Sequence, residues 1–246
     1  MKIENKLEKI FHFLKSNREH NHQLQERFYN SVLKPFDNTS EKIISLLYNI
    51  ANTQSQPKID NLAKFFIELH ENIESVNSFQ SFVEYVKPKT EIEKNFRTLY
   101  LGMEKQSGWG KKTSALFVKT IFHIHNAEYS KELKIWNDVP KTVEQNDEFF
   151  LPVDAVIISI FKKLDSSIKW DFKKINSKLK KFYTENEIEI WDDLWFWGFI
   201  TQNGTGENRN FEWNLNKYWA LKESDKTKSE IKIIERKAEI FLKLIK

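Results

Sequence analysis

The segment Phe96-Arg97-Thr98-Leu99-Tyr100-Leu101-Gly102-Met103-Glu104-Lys105 runs into Gln106-Ser107-Gly108-Trp109-Gly110-Lys111-Lys112. Thr113-Ser114-Ala115-Leu116-Phe117-Val118-Lys119-Thr120-Ile121-Phe122-His123 follows directly. Phe96, Leu99, Tyr100 and Met103 recur three and four apart, and so do Phe117, Val118, Ile121 and Phe122. That spacing predicts two helices. Gly108 and Gly110, one residue apart, make the connection between them a tight turn. In such a turn backbone N–H groups can point outward together, beside the positive end of the next helix. The combination suits an anion such as a DNA phosphate. A Gly-x-Gly between helices also serves as a plain helical connection, so the turn alone does not decide the function.

Working outward, the same periodicity covers most of the chain. Ile3, Leu7, Ile10 and Leu14 open it, and Leu24, Phe28 and Val32 precede Pro35. Ile43, Ile44, Leu47 and Ile50 follow an N-cap expected at Thr39 or Ser40, and Leu62, Phe65, Phe66 and Leu69 follow Pro57. Phe79 to Tyr85, Val156 to Leu164, a stripe of Ile168, Phe172, Ile175, Leu179 and Phe182, and Ile231 to Ile245 complete the series. No period-two strand pattern stands out, Asn126 to Phe150 reads as an insertion loop, and Thr201 to Asn210 reads as a polar loop. The fold class expected is therefore all-α. The 246 residues are long enough for a real core, with 40% hydrophobic and 30% charged residues. The chain has no cysteine, which excludes disulfides, thiolate catalysis and iron–sulfur clusters. No apolar run reaches membrane-spanning length, and Met1-Lys2-Ile3-Glu4-Asn5-Lys6 lacks a signal-peptide core, so a cytosolic protein is expected. The net charge of +4 is compatible with nucleic acid without proving it.

Lys112 lies two residues after Gly110, at the start of the second helix, and Leu151-Pro152-Val153-Asp154 leads into another apolar helix. Here the sequence resembles the helix-hairpin-helix DNA glycosylase superfamily, whose signature is apolar-Gly-apolar-Gly-x-Lys followed by Pro-Val-Asp. Lys112 to Lys119 is similar to the archaeal 8-oxoguanine DNA glycosylase branch. The resemblance implies two helical lobes with a central cleft, one of approximately residues 40–150 and one of 1–39 with 151–246. It implies that an extruded base is cut from its sugar, with Lys112 as the catalytic lysine and Asp154 as the catalytic aspartate. It further implies DNA contacts at Gly108, Trp109, Gly110 and Lys111. A wedge is expected at Thr53 or Gln54, within Ile50-Ala51-Asn52-Thr53-Gln54-Ser55-Gln56. The Lys112-to-Asp154 separation is longer than in most members, and residues 126–150 must loop out. No cofactor is implied beyond a monovalent cation at the hairpin. The partner is double-stranded DNA with a damaged or modified base, acted on by a monomer.

The chemistry asks for these residue types. A lysine attacks only as the neutral amine, and its ordinary pKa is about 10.4. A helix N-terminus, a neighbouring Lys111 and an apolar cover all disfavour its charged form. The Asp154 carboxylate can stabilise positive charge on the sugar, or cap the helix that follows it, or both. Six of the eight tryptophans fall after residue 169. Helical spacing puts Trp191, Trp195 and Phe199 on one face, which is ordinarily core, while a flipped base also needs an aromatic face and polar groups. Trp195, Trp197, Phe199 and Gln202 are the pocket candidates. Trp109 is expected to pack over the lysine or touch DNA. The lysines from Lys162 to Lys181 form either a solvated face or a phosphate-contacting one. His123 and His125 do not share a helix face, and no metal site is expected. The leading expectation is a glycosylase with β-lyase activity, with an oxidised purine such as 8-oxoguanine first. The alternatives are removal of a modified base from foreign DNA in defence, and a non-catalytic helical DNA-binding module.

Overall fold

Each helical stripe has to bury its apolar face, and the chain does so in two groups. The computed structural model describes residues 3–144, 147–206, 208–221 and 227–246. One compact unit is Glu26–Pro152; the other joins Met1–Gln25 to Val153–Lys246. The residues 26–39, expected with the terminal segments, thus belong with the hairpin. Helices make up most of the described residues.

In the continuous unit, the second half of α2 (Arg18–Leu33) precedes α3 (Thr39–Ala51), α4 (Ile59–Glu71), α5 (Phe79–Val86), α6 (Phe96–Lys105) and α7 (Lys111–Asn126). Helix α3 is capped by Asn38, whose side chain accepts from the Glu41 N–H at 2.8 Å, and not by Thr39 or Ser40. Helix α7 packs on α3 and α6 around the fully buried Phe82, Phe96 and Phe117. The segment 126–150 is tied down far more than an insertion loop need be. Asp138 accepts from the N–H groups of Phe79 and Gln80, both at 2.9 Å, and so caps α5. Asp147 accepts from Phe96 and Arg97 at 3.0 and 2.7 Å and caps α6. His125 Nε2 accepts from the N–H groups of Ile135 and Trp136 at 3.2 and 3.0 Å, while Nδ1 meets Ile121 O at 2.8 Å. This pattern requires a neutral ring with its proton on Nδ1, and burial lowers the His125 pKa accordingly. Gln145 and Asn146 of that loop lie outside the described residues, as do Met1, Lys2 and Glu207.

The other unit holds α1 (Ile3–Lys15), the first half of α2, α8 (Ala155–Leu164), α9 (Phe172–Leu179), α10 (Glu185–Ile190), α11 (Asp193–Ile200), α12 (Leu215–Leu221) and α13 (Lys228–Leu244). Two corrections arise here. The stretch read as a polar loop is a β-hairpin, with β1 (Gln202–Thr205) antiparallel to β2 (Asn208–Phe211) and Gln202 opposite Phe211. Phe211 is its one large apolar residue among the described ones, so it carries no alternation to detect. The stripe from Ile168 to Phe182 shrinks to α9, and Ile168 and Phe182 are exposed.

Helix α11 is anchored by charge. Asp193 is buried and accepts from Asn21 Nδ2 at 2.7 Å and Arg18 Nε at 3.1 Å, while Gln25 Nε2 reaches Asp192 at 2.9 Å. Burial, opposed by Arg18 and Asn21, pushes the Asp193 carboxyl up to about 7. A carboxyl raised in the fold holds a proton that the unfolded chain has lost, so stability falls as pH rises from about 4 to about 7 and is flat above. We expect the native protein to lose up to about 3 kcal/mol between about pH 5 and about pH 8 through this residue, and Asp193→Asn to flatten that slope. Urea unfolding followed by tryptophan fluorescence checks it. An unchanged slope in the variant would remove Asp193 as the titrating group.

Candidate functional site

Gly108 has φ +82°, a conformation that glycine adopts without strain. A Cβ there would stand 2.8 Å from Leu62 Cδ2 and 2.9 Å from the Leu62 backbone nitrogen. The turn therefore presses on the start of α4, and only glycine permits it. Gly110 differs. Its φ is −143°, and a Cβ would meet nothing within 4 Å. Neither backbone strain nor packing accounts for the glycine at 110.

Of the N–H groups expected to point outward from the turn, those of Trp109 and Gly110 are used within it. The Trp109 N–H donates to Gln106 O at 3.1 Å, and the Gly110 N–H donates to Thr113 Oγ1 at 3.1 Å. The positive end of α7, whose first turn begins at Lys111, remains as the source of anion attraction. Trp109 is also not presented to a partner. It is buried edge-on against Phe65 and Phe117, at 5.5 and 6.1 Å between ring centres. The hairpin offers a cation little. Gly110 O already accepts from Ser114 N at 2.9 Å and Thr113 Oγ1 at 3.0 Å, and Gly108 O accepts from Gln54. No step is derived through such an ion. Among the described residues no cluster of three or more histidine or acidic side chains could hold a metal. No described helix is long and apolar enough to cross a membrane.

Lys112 is the second residue of α7 and is half-buried. Its Nζ donates to Thr53 Oγ1 at 2.9 Å and to Thr53 O at 3.3 Å. Thr53 Oγ1 passes its own hydrogen to Ile50 O at 2.8 Å, which leaves its lone pairs to accept. Gln54 Nε2 donates to Gly108 O at 3.2 Å, so the turn after α3 is bonded to the hairpin at Gly108 as well as to the lysine. Thr53, Gln54, Gly108 and Lys112, proposed separately from sequence, stand together in one unit.

Asp154 lies in the other unit, at the N-cap of α8. Its Oδ1 accepts from the N–H groups of Val156 and Ile157 at 2.9 and 3.1 Å, and its Oδ2 accepts from Trp195 Nε1 at 3.0 Å. Trp195 stacks on Phe199 with 5.0 Å between ring centres, and Lys217 Nζ lies 5.0 Å from the Phe199 ring centre. Acid, indole, phenyl ring and amine thus form a continuous row. Trp197 and Trp191 do not join it. Trp197 is fully buried against Phe13 and His20, and Trp191 against Phe11 and Tyr183. The helix breaks between α10 and α11 at Trp191, which rotates it off the face shared by Trp195 and Phe199. Gln202 is also fully buried. It donates to Val156 O at 3.0 Å and accepts from Arg209 Nη1 at 3.3 Å, so it ties α8 to the β-hairpin. Lys217 and Arg209 carried no signal in the sequence, since each is an isolated cation in a polar stretch.

Gly108→Ala should destabilise the protein by about 1–3 kcal/mol, because it adds strain and a clash. Gly110→Ala should change stability by no more than ~1 kcal/mol. Chemical unfolding followed by circular dichroism compares them, and equal losses would contradict the close approach of Gly108 to Leu62.

Comparison with family models, with curated proteins and with solved structures found no match.

Proposed function

We propose that the chain is a DNA glycosylase with lyase activity, in which Lys112 is the nucleophile. The observation that carries the reading is the lysine's setting. Its amine is oriented by Thr53 at the first turn of α7, between a glycine hairpin and a turn bonded to that hairpin. A lysine placed only for solubility needs no such acceptors, and a cation at a helix N-terminus is electrostatically disfavoured.

In this reading the neutral amine attacks C1′ of the extruded nucleotide. The bond from C1′ to the base breaks, and the base leaves with the bonding electrons and takes up a proton. The amine nitrogen gives up one proton, its lone pair breaks the C1′–O4′ bond as O4′ takes up a proton, and the opened sugar is left as a protonated Schiff base. Loss of the C2′ proton then expels the 3′ phosphate by β-elimination. The Asp154 carboxylate offsets positive charge on the sugar as the base departs. Its three donors hold it in place for that work. Trp195 and Phe199 supply the aromatic surface near the acid, whereas Trp197 and Gln202 serve the core. Space at Gly110 lets a phosphate approach the first turn of α7. The partner is duplex DNA containing a modified base. An oxidised purine comes first through the resemblance alone.

Borohydride should trap a covalent complex with a duplex carrying one modified base, drawn from a panel that includes 8-oxoguanine. Lys112→Gln should abolish trapping while leaving DNA binding within a few-fold of the native protein. Trapping by that variant would make another amine the nucleophile. No trapping and no abasic-site formation across the panel would end the enzyme reading.

Asp154→Asn keeps the cap but sets an amide N–H against the Trp195 N–H, and Asp154→Ser keeps the cap with no charge. Both should fold and cut turnover by at least about 100-fold. Folded variants with full single-turnover rates would reduce Asp154 to a helix cap.

A further inference from the structure

The lysines from Lys162 to Lys181 do not act as one face. Within α9 and its flanks several are held by the protein itself. Lys178 pairs with Glu4 at 2.5 Å and lies 5.2 Å from the Phe182 ring centre; Lys180 is 3.7 Å from Glu185; Lys174 Nζ donates to Lys169 O at 2.7 Å. Lys162 and Lys163 lie in the last turn of α8. Together with Arg209 from β2 and Lys246 they line an open groove of about 390 Å³, with Ser159 and Ser166 between them. Among the described residues, no carboxylate side chain belongs to that lining.

Two lysines ending a helix could be there only for the helix dipole. Arg209 argues for more. It comes from a different element and is fixed by Gly206 O at 3.1 Å and by the buried Gln202 Oε1 at 3.3 Å. Both of these acceptors are neutral oxygens, which fix the direction of the guanidinium. The field is felt nearby, where burial and then the charge of Arg209 lower the Lys217 pKa. Cations on several walls of one groove concentrate positive potential within it. Lysine, guanidinium and hydroxyl donors together match a run of phosphate oxygens.

We propose that this groove, between the end of α8, β2 and the end of α13, binds the phosphodiester backbone of duplex DNA. It would give this unit its own grip on the nucleic acid, apart from the glycine hairpin of the other unit. The inference rests on duplex DNA being the partner, but not on Lys112 chemistry.

The test measures binding of the whole chain to an undamaged fluorescent duplex by anisotropy across salt. Lys162→Ala with Lys163→Ala is compared with Lys173→Ala with Lys181→Ala, which removes the same charge from exposed positions outside the groove. The groove pair should flatten the log–log salt slope by nearly two. From about 50 to about 200 mM salt the native affinity should then fall about 12-fold further than that of the groove variant. The control pair should keep the native slope. Equal slopes in the native protein and the groove variant, equal losses in both variants, or no duplex binding by the native chain would each overturn the proposal. Borohydride trapping is scored in parallel. Trapping that persists while the groove variant binds like the native protein rejects the groove alone; absent trapping with a groove-dependent slope rejects the glycosylase reading alone.

Discussion

The contact between Gly108 and Leu62 is the constraint on which the candidate site depends. Only a residue without a Cβ can take φ +82° and still let the turn touch the backbone at Leu62. That approach brings the segment after α3 within reach of the hairpin, where Gln54 bonds to Gly108 O. Thr53, the residue before Gln54, is then where the Lys112 amine finds its two acceptors. A side chain at 108 would push on α4 first, and the loss would reach the lysine through the loop.

The second unit depends on buried polar side chains more than on any glycine. Asp193 fixes α11 to α2 through Arg18 and Asn21, and Gln202 fixes the β-hairpin to α8. A buried amide or acid is tolerated only with its bonds made, so each permits very few arrangements of the helices it joins. Trp195 and Arg209 are carried on these tied elements. The aromatic row and the basic groove are consequences of that polar scaffold.

Much of this was legible in the chain. The helices of the continuous unit follow from apolar spacing that has no competing signal, and the Gly108–Lys112 turn was readable because glycine is scarce elsewhere. What escaped did so for physical reasons. The β-hairpin has no apolar alternation, with Phe211 its one large apolar residue among the described ones, and its register comes from backbone bonds that leave no mark on side-chain order. Trp191, Trp195 and Trp197 look equivalent in sequence. A break after Ile190 and the acceptor at Asp154 separate them, and neither is encoded within the tryptophan cluster itself. The 126–150 segment has weak periodicity because it is held by helix caps, at Asp138 and Asp147, and by one neutral histidine.

Both residues at the centre of the functional reading sit at helix N-termini, and the physics of that position treats them in opposite ways. An aspartate there is stabilising. It meets N–H groups that lack intrahelical acceptors and complements the positive end of the dipole. Stability alone is enough to explain Asp154, which also satisfies the Trp195 indole. A lysine at the second position of a helix opposes the dipole, at a cost of roughly 0.3–1 kcal/mol, and Lys111 beside it adds like charge. Helix α7 has no acidic residue in its first turn to offset either one. The two bonds of Lys112 to Thr53 recover part of that cost while fixing where the nitrogen stands. A position that is unfavourable for a cation yet well oriented by neighbours is what an amine needs if it is to act as a nucleophile rather than as a charge.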